Sequence, residues 1–207
     1  MLKSKNESRM SSVKLMTLFL IVFVFFPVMY ASGQTKIGDK TAPFFKIFSS
    51  GTYHMKAKMT TAGVASDMEM YAKGDLLSMV TSMQGQAMRT VVKDKKAYVI
   101  MDSLKMIMIS AAGNESQSVD PNKMKYTGSG TAVFAGKSLP YDEYLNTDGS
   151  KGQFFVDGNK LAGIRTIMAK QGTVEMIVLE LDQKIPNGVF DVPTQGYQVQ
   201  DMSGLGR

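Results

Sequence analysis

Few residues in this chain have the types and spacing that chemistry requires. There is one histidine, His54, and no cysteine. His54 stands on the polar side of an alternating segment, with no Ser or Asp at the spacing of a nucleophile and its base. A lone strand histidine of this kind reads as a surface residue. No nucleophile elbow, phosphate-binding glycine loop, dinucleotide fingerprint or zinc-ligand spacing occurs. Asp148-Gly149-Ser150 and Asp157-Gly158-Asn159 begin like calcium loops but lack the later oxygen ligands, so they read as turns. Asn114-Glu115-Ser116 matches the glycosylation sequon, which has meaning only in a eukaryotic secretory route. The expectation is a protein that is not an enzyme, with no catalytic residues, no metal site and no cofactor.

The methionines are the unusual feature. The chain has 18 in 207 residues, and ten of them are Met55, Met59, Met68, Met70, Met79, Met83, Met88, Met101, Met106 and Met108. Alternation puts Met55 with Met59, Met68 with Met70, and Met106 with Met108 on one face each. In-register pairing of neighbouring strands joins them into one Met-lined surface. A flexible, polarisable side chain conforms to varied apolar partners. Three readings follow: core filling, an adaptable pocket for an acyl chain or similar ligand, and soft-metal binding, since thioethers select Cu(I). Copper sites of the last kind usually add His or Cys, and only His54 is on hand.

Two periods organise the elements that must carry this surface. In Pro43 to Phe48, the residues Phe44, Ile47 and Phe48 fall at helical spacing, with Pro43 in the first turn. From Gly51 the period becomes two. Tyr53, Met55, Ala57 and Met59 alternate with His54, Lys56, Lys58 and Thr60, and Met68, Met70 and Ala72 alternate with Asp67, Glu69 and Tyr71. Short strands follow at 76–83, 87–93, 97–102, 104–110, 125–134, 138–146, 153–156, 160–169 and 173–182, separated by Gly and Asp turns. Pro140 suits strand 138–146 to an edge. Residues 97–109 are apolar on both faces and so need cover on both. Segment 111–123 is a polar loop or short helix, and 184–193 is a capping segment. The fold class expected is mainly β: a single curled antiparallel sheet, a half-barrel of about eleven strands, with one or two short helices on its concave face.

The N-terminus addresses the chain. Lys3, Lys5, Arg9 and Lys14 precede the apolar run Leu15 to Tyr30, and Ala31-Ser32-Gly33 supplies small residues at the exit. That is the pattern of a cleaved signal peptide over 1–33. A retained membrane anchor is the alternative, but the run is short for a span and is broken by Pro27. The expected location is the periplasm or the extracellular space, with no Cys to be lipidated at the junction. Of the formal net charge of +6 the leader supplies four bases and one acid, or +3, which leaves +3 on 34–207. No basic stripe remains, so nucleic acid is not an expected partner. The domain layout is a segment 34–50 with the short helix, a β domain 51–200 and a flexible tail 201–207.

Several phrases resemble a known family. YAKGDLLSMV, then KDKKAYVIMDSLKMIMI, then TVEMIVLEL leading into KIPNGVFDVPTQGY are similar to the LolA/LolB-like superfamily of periplasmic carriers, which includes mycobacterial lipid-binding lipoproteins. The span Ile185 to Tyr197 carries most of the likeness, which extends over 44–199. The resemblance implies a half-barrel of about eleven strands whose concave apolar face, closed by helices, holds acyl chains of lipoproteins or glycolipids. It places Phe44, Phe48, Met55, Met59, Met68, Met70, Met79, Met106 and Met108 along the ligand cavity. The implied partners are a lipid or lipoprotein acyl chain, with an envelope protein or membrane surface as a further one. The chain departs from the family in its short lid, with only 111–123 for the purpose. It also lacks a counterpart of the arginine that holds LolA-type carriers closed, having only Arg89, Arg165 and Arg207 beyond the leader. That departure favours simple lipid binding over active shuttling. The alternative function is an envelope interaction module with a filled core and no ligand.

Overall fold

A computed structural model describes residues 36–61, 64–83, 86–112, 124–168 and 172–203. The leader, the sequon, most of the 111–123 segment and the last four residues lie outside the described residues. Twelve strands form one sheet: β1 (Thr52–Thr61), β2 (Val64–Lys73), β3 (Leu76–Met83), β4 (Gln86–Lys93), β5 (Lys96–Met101), β6 (Met106–Ala111), β7 (Met124–Phe134), β8 (Lys137–Asn146), β9 (Lys151–Asp157), β10 (Lys160–Met168), β11 (Gly172–Asp182) and β12 (Gln198–Asp201). One helix, α1 (Ala42–Ser49), precedes them, and a 3-10 turn at Asp102–Leu104 separates β5 from β6. Strand 104–110 of the sequence reading therefore starts later, at Met106. Asp94 and Lys95 take positive φ in the two-residue turn between β4 and β5, which matches the right-handed twist of the hairpin.

The strand order is β12-β6-β5-β4-β3-β2-β1-β11-β10-β9-β8-β7. Two antiparallel meanders, β1 to β6 and β7 to β11, are joined by the pairing of β1 with β11. The curl follows from chain length. Ten strand spacings separate β6 from β7, roughly 48 Å in a flat sheet at about 4.8 Å each. Ala112 and Met124 are twelve residues apart, and that link reaches at most about 43 Å. Both ends pack into the same apolar cluster. A flat sheet cannot satisfy this connection, and a curled one does.

Helix α1 fills the curl. Pro43 occupies its first turn, where a missing N–H costs nothing. Phe44, Phe45 and Phe48 are buried against the inner face. Phe45 sits 5.1 Å from the Tyr144 ring and 5.3 Å from Phe154, and Phe48 meets Tyr53 edge-on at 5.2 Å. One wedge thus touches β1, β8 and β9, which lie on opposite sides of the curl. The wedge is latched by Asp142, a fully buried carboxylate on β8. The amide and hydroxyl of Thr41 both donate to its Oδ2 at 3.0 Å, and Ser129 donates to its Oδ1 at 2.5 Å.

The described residues form twelve strands, in line with the eleven or so expected, and the one departure in the sheet is that β12 pairs with β6 in parallel. The chain reaches β6 by crossing the outer face after β11, so it arrives running the same way. The cover for the outer side of 97–109 is this crossing strap: Phe190, Val192 and Tyr197 pack over Val91, Ile100 and Ile107. Strand β8 is not an edge strand, since it lies between β7 and β9. Pro140 is tolerated because β9 pairs with β8 only from Tyr141 to Leu145, which leaves one neighbour at Pro140.

A second outer cluster packs Phe134, Leu139 and Phe155. Phe134 lies over Gly163, where a Cβ would stand 2.3 Å from both the Met176 carbonyl oxygen and the Phe134 ring. Gly163→Ala is expected to destabilise the fold by about 1–3 kcal/mol through overpacking. Asp142→Ala, which leaves the buried Thr41 amide without its acceptor, is expected to cost about 1–3 kcal/mol. Urea unfolding of each variant against wild type reads both values.

Candidate functional site

Direct cross-strand partners share a face of the sheet, so the register shows how the methionines meet. Met55, Met70, Met79, Thr90, Val99 and Met108 form one row running from β1 to β6. Ala57, Met68, Thr81, Met88, Met101 and Met106 form the next row. On the other side of β1, Met59 pairs with Met176, and Met176 with Ile164. All of these are on the inner face, the side that α1 covers.

The two long rows change character along their length. Met55 and Met70 are fully buried, and Met59, Met68 and Met79 are buried with Phe44 and Phe48. Seven of the nine residues expected along a cavity are thus packed among the protein's own side chains. Met106 and Met108 are half-exposed, and so are Met88, Val99 and Met101. These five residues form an apolar strip on β4 to β6 that is only partly covered, while Val92 and Ala97 on the same face are buried in the cluster that holds the α1 phenylalanines. Gln198 and Gln200 of β12, the exposed partners of Met106 and Met108, give the strip a polar rim. Sequence reasoning missed Phe45, the most buried of the three helix aromatics. Alternation puts Val99 on the face of Met106 and Met108, although it was not among the residues expected along the cavity.

The outer face holds a polar cluster that was not foreseen. His54 is 5% exposed, which corrects its assignment as a surface residue. Its Nδ1 lies 3.3 Å from Asp182 Oδ1 and its Nε2 lies 3.1 Å from Glu69 Oε1, and its ring stacks on Tyr71 at 4.5 Å. Tyr71 donates to Glu69 at 2.7 Å. Lys56 bridges Glu69 and Glu180 at 3.3 and 3.5 Å. The burial follows from register, because His54 stands between Tyr71 on β2 and Asp182 on β11. Partners so distant in sequence leave no local spacing signal.

This setting moves several protonation equilibria. Burial raises the Glu69 carboxyl, but hydrogen bonds from Tyr71, His54 and Lys56 outweigh it and hold the group below its usual range. Asp182 is likewise held low: burial opposes, while the Lys184 amide and His54 dominate. The Tyr71 hydroxyl is pushed up to about 12 by burial and by the Glu69 carboxylate it serves. On the inner face, burial raises the Tyr53 hydroxyl, whose hydrogen-bond partner is the Met70 sulfur at 3.5 Å.

No protein-family model matches the chain, and no curated protein does. Solved structures do. An uncharacterised conserved protein from Thermus thermophilus is similar at a TM-score of 0.53 and 10% identity, over 77% of this chain and 99% of that one. MucB of Pseudomonas aeruginosa, solved in complex with MucA, is similar at a TM-score of 0.44 and 10% identity, over 75% of this chain and 62% of that one. A LolA superfamily protein from Nitrosomonas europaea is similar at a TM-score of 0.38 and 7% identity, over 68% of this chain and 90% of that one. The curled half-barrel expected from the sequence is the fold the chain has, and LolA-like proteins stand among its structural neighbours.

The cluster around His54 sets an acid response. A carboxyl held below its ordinary value stabilises the fold above that value and loses the contribution as pH falls through the lower folded value. The ordinary values are 4.5 for Glu69 and 3.8 for Asp182. Stability is expected to fall as pH drops below this range. The fall should be shallower in the Glu69→Gln, Asp182→Asn double variant. Thermal melts from neutral pH to pH 3 compare the slopes.

Proposed function

We propose that the protein is an exported, non-enzymatic binder of an acyl chain or similar hydrophobic ligand, and that the ligand lies on the apolar strip at β4 to β6. One observation carries the reading: two rows of the inner face, apolar but for Thr90 and Thr81, lead from beneath α1 to Met88, Val99, Met101, Met106 and Met108, which are only partly buried. Methionine sulfur and its free torsions let such a floor adapt to chains of different length and shape. Each buried CH₂ contributes about 0.8 kcal/mol, so a few carbons on the strip give useful affinity without a polar anchor. Gln198 and Gln200 at the rim are placed to meet a polar head group. Export rests on the basic, apolar and small-residue pattern of 1–33.

A second reading has its own observation. The space beneath α1 is filled by Phe44, Phe45, Phe48 and the buried methionines, which suits an interaction module that carries no ligand.

The chain is purified from a bacterial periplasm without detergent, extracted with organic solvent and examined for lipid by mass spectrometry. Uptake of a fluorescent fatty acid is then titrated. One acyl-bearing molecule per chain is expected, and Met108→Glu should weaken uptake at least tenfold. Position 108 is only partly buried, and a thermal melt of the variant checks that it folds. Leu179→Glu, at an exposed position on β11, should leave uptake unchanged. A clean extract together with no uptake moves the protein to the second reading.

A further inference from the structure

The cluster on the outer face has a geometry that its ion pairs do not require. One nitrogen of His54, Nδ1, faces Asp182 on β11, and the other, Nε2, faces Glu69 on β2. A carboxylate oxygen of Glu180, also on β11, comes within 4.8 Å of both the imidazole and the Asp182 carboxylate. It is the one grouping of this kind among the described residues.

We propose that His54 Nδ1 and the carboxylates of Asp182 and Glu180 form a binding site for a first-row divalent cation of the Zn(II) type, tying β1 to β11. Three arguments support it. The first is spacing. Two ligands at about 2.1 Å from a tetrahedral ion lie about 3.4 Å apart, and His54 Nδ1 and Asp182 Oδ1 are 3.3 Å apart. Glu180, with an oxygen within 4.8 Å of both, supplies the third corner and leaves the fourth to water.

The second is the outer partner of the imidazole. A metal-bound histidine commonly donates its other N–H to a carboxylate, which fixes the tautomer and aims the free lone pair. Glu69 takes that place at Nε2, and Tyr71 supports both by stacking on the ring and donating to the same carboxylate. The Lys184 amide donates to the same Asp182 oxygen, Oδ1, at 2.9 Å and fixes where that carboxylate stands.

The third is charge. Glu69, Asp182 and Glu180 surround the imidazole, and the cations facing them are Lys56 and Lys184. Lys56 competes for Glu180 but is itself half-exposed and free to swing into water. A dication bridging Asp182 and Glu180 answers the same carboxylates with more charge in less space. Imidazole with carboxylates suits Zn(II) and its neighbours, not Ca(II) or Mg(II), which prefer oxygen alone.

The composition makes the test clean. The chain has no cysteine and no second histidine, so tight Zn(II) binding by untagged protein has one imidazole to use. Zn(II) is titrated calorimetrically into the untagged, metal-free chain, and Co(II) is added separately and read by visible absorption. One equivalent should bind, with the intense bands of a four-coordinate Co(II) site. Thermal melts at a hundredfold excess over Kd should rise by about 5 °C. Glu180→Gln and Asp182→Asn, which leave the buried ring in place, should each weaken binding at least tenfold. Lys56→Met should tighten it. Absence of binding up to about 1 mM Zn(II), or binding that both carboxylate variants leave unchanged, overturns the proposal.

Discussion

The structure depends on keeping water off the inner face of a twelve-stranded sheet that is too wide to lie flat. The link from β6 to β7 sets the curvature, because its two ends enter one apolar cluster from opposite meanders. Curvature alone would enclose a void, and voids in an apolar interior forfeit both dispersion and hydrophobic energy. Helix α1 removes that void. Its three phenylalanines reach β1, β8 and β9 together. Asp142 holds the start of the helix by accepting hydrogen bonds from both the amide and the hydroxyl of Thr41.

The wedge is eight residues long and the sheet is wider than it. Val92 and Ala97 on β4 and β5 still join its cluster, whereas Met88, Val99, Met101, Met106 and Met108 keep the same residue chemistry with less cover. That mismatch divides each methionine row into a packed part and a partly exposed part. On the outer face of the same strands the strap does the opposite. Phe190, Val192 and Tyr197 close over Val91, Ile100 and Ile107, and the strap then becomes β12. The strip therefore sits on a layer that is braced from behind, as a binding surface needs if ligand contacts are not to be lost to strand motion.

Much of this was legible in the sequence, and the physical reasons are specific. Period-two alternation locates β1 and β2 because one face is wet: Lys56 and Lys58 mark it as plainly as Met55 and Met59 mark the other. Pro43 with Phe44 and Phe48 marks α1 because a helical face repeats locally. The half-barrel followed from strand count. What was not legible is whatever depends on partners far apart in the chain. His54 read as exposed because alternation put it among lysines, yet Asp182 lies 128 residues away and Tyr71 covers the ring. The parallel pairing of β12 was hidden because Gln198 to Asp201 has no apolar pattern of its own. The division of the methionines into packed and half-exposed sets depends on where α1 stops across the sheet, which no spacing along the chain records.

The central claim is that one methionine row serves two purposes, core at one end and ligand surface at the other. Methyl NMR of protein labelled at methionine Cε, titrated with a medium-chain fatty acid, tests it residue by residue. The expected result is saturable shifts at Met88, Met101, Met106 and Met108, with Met55 and Met70 unmoved. Shifts centred on Met55 and Met70 would place the ligand beneath α1 and contradict the division. No shift at any methionine would remove the ligand altogether.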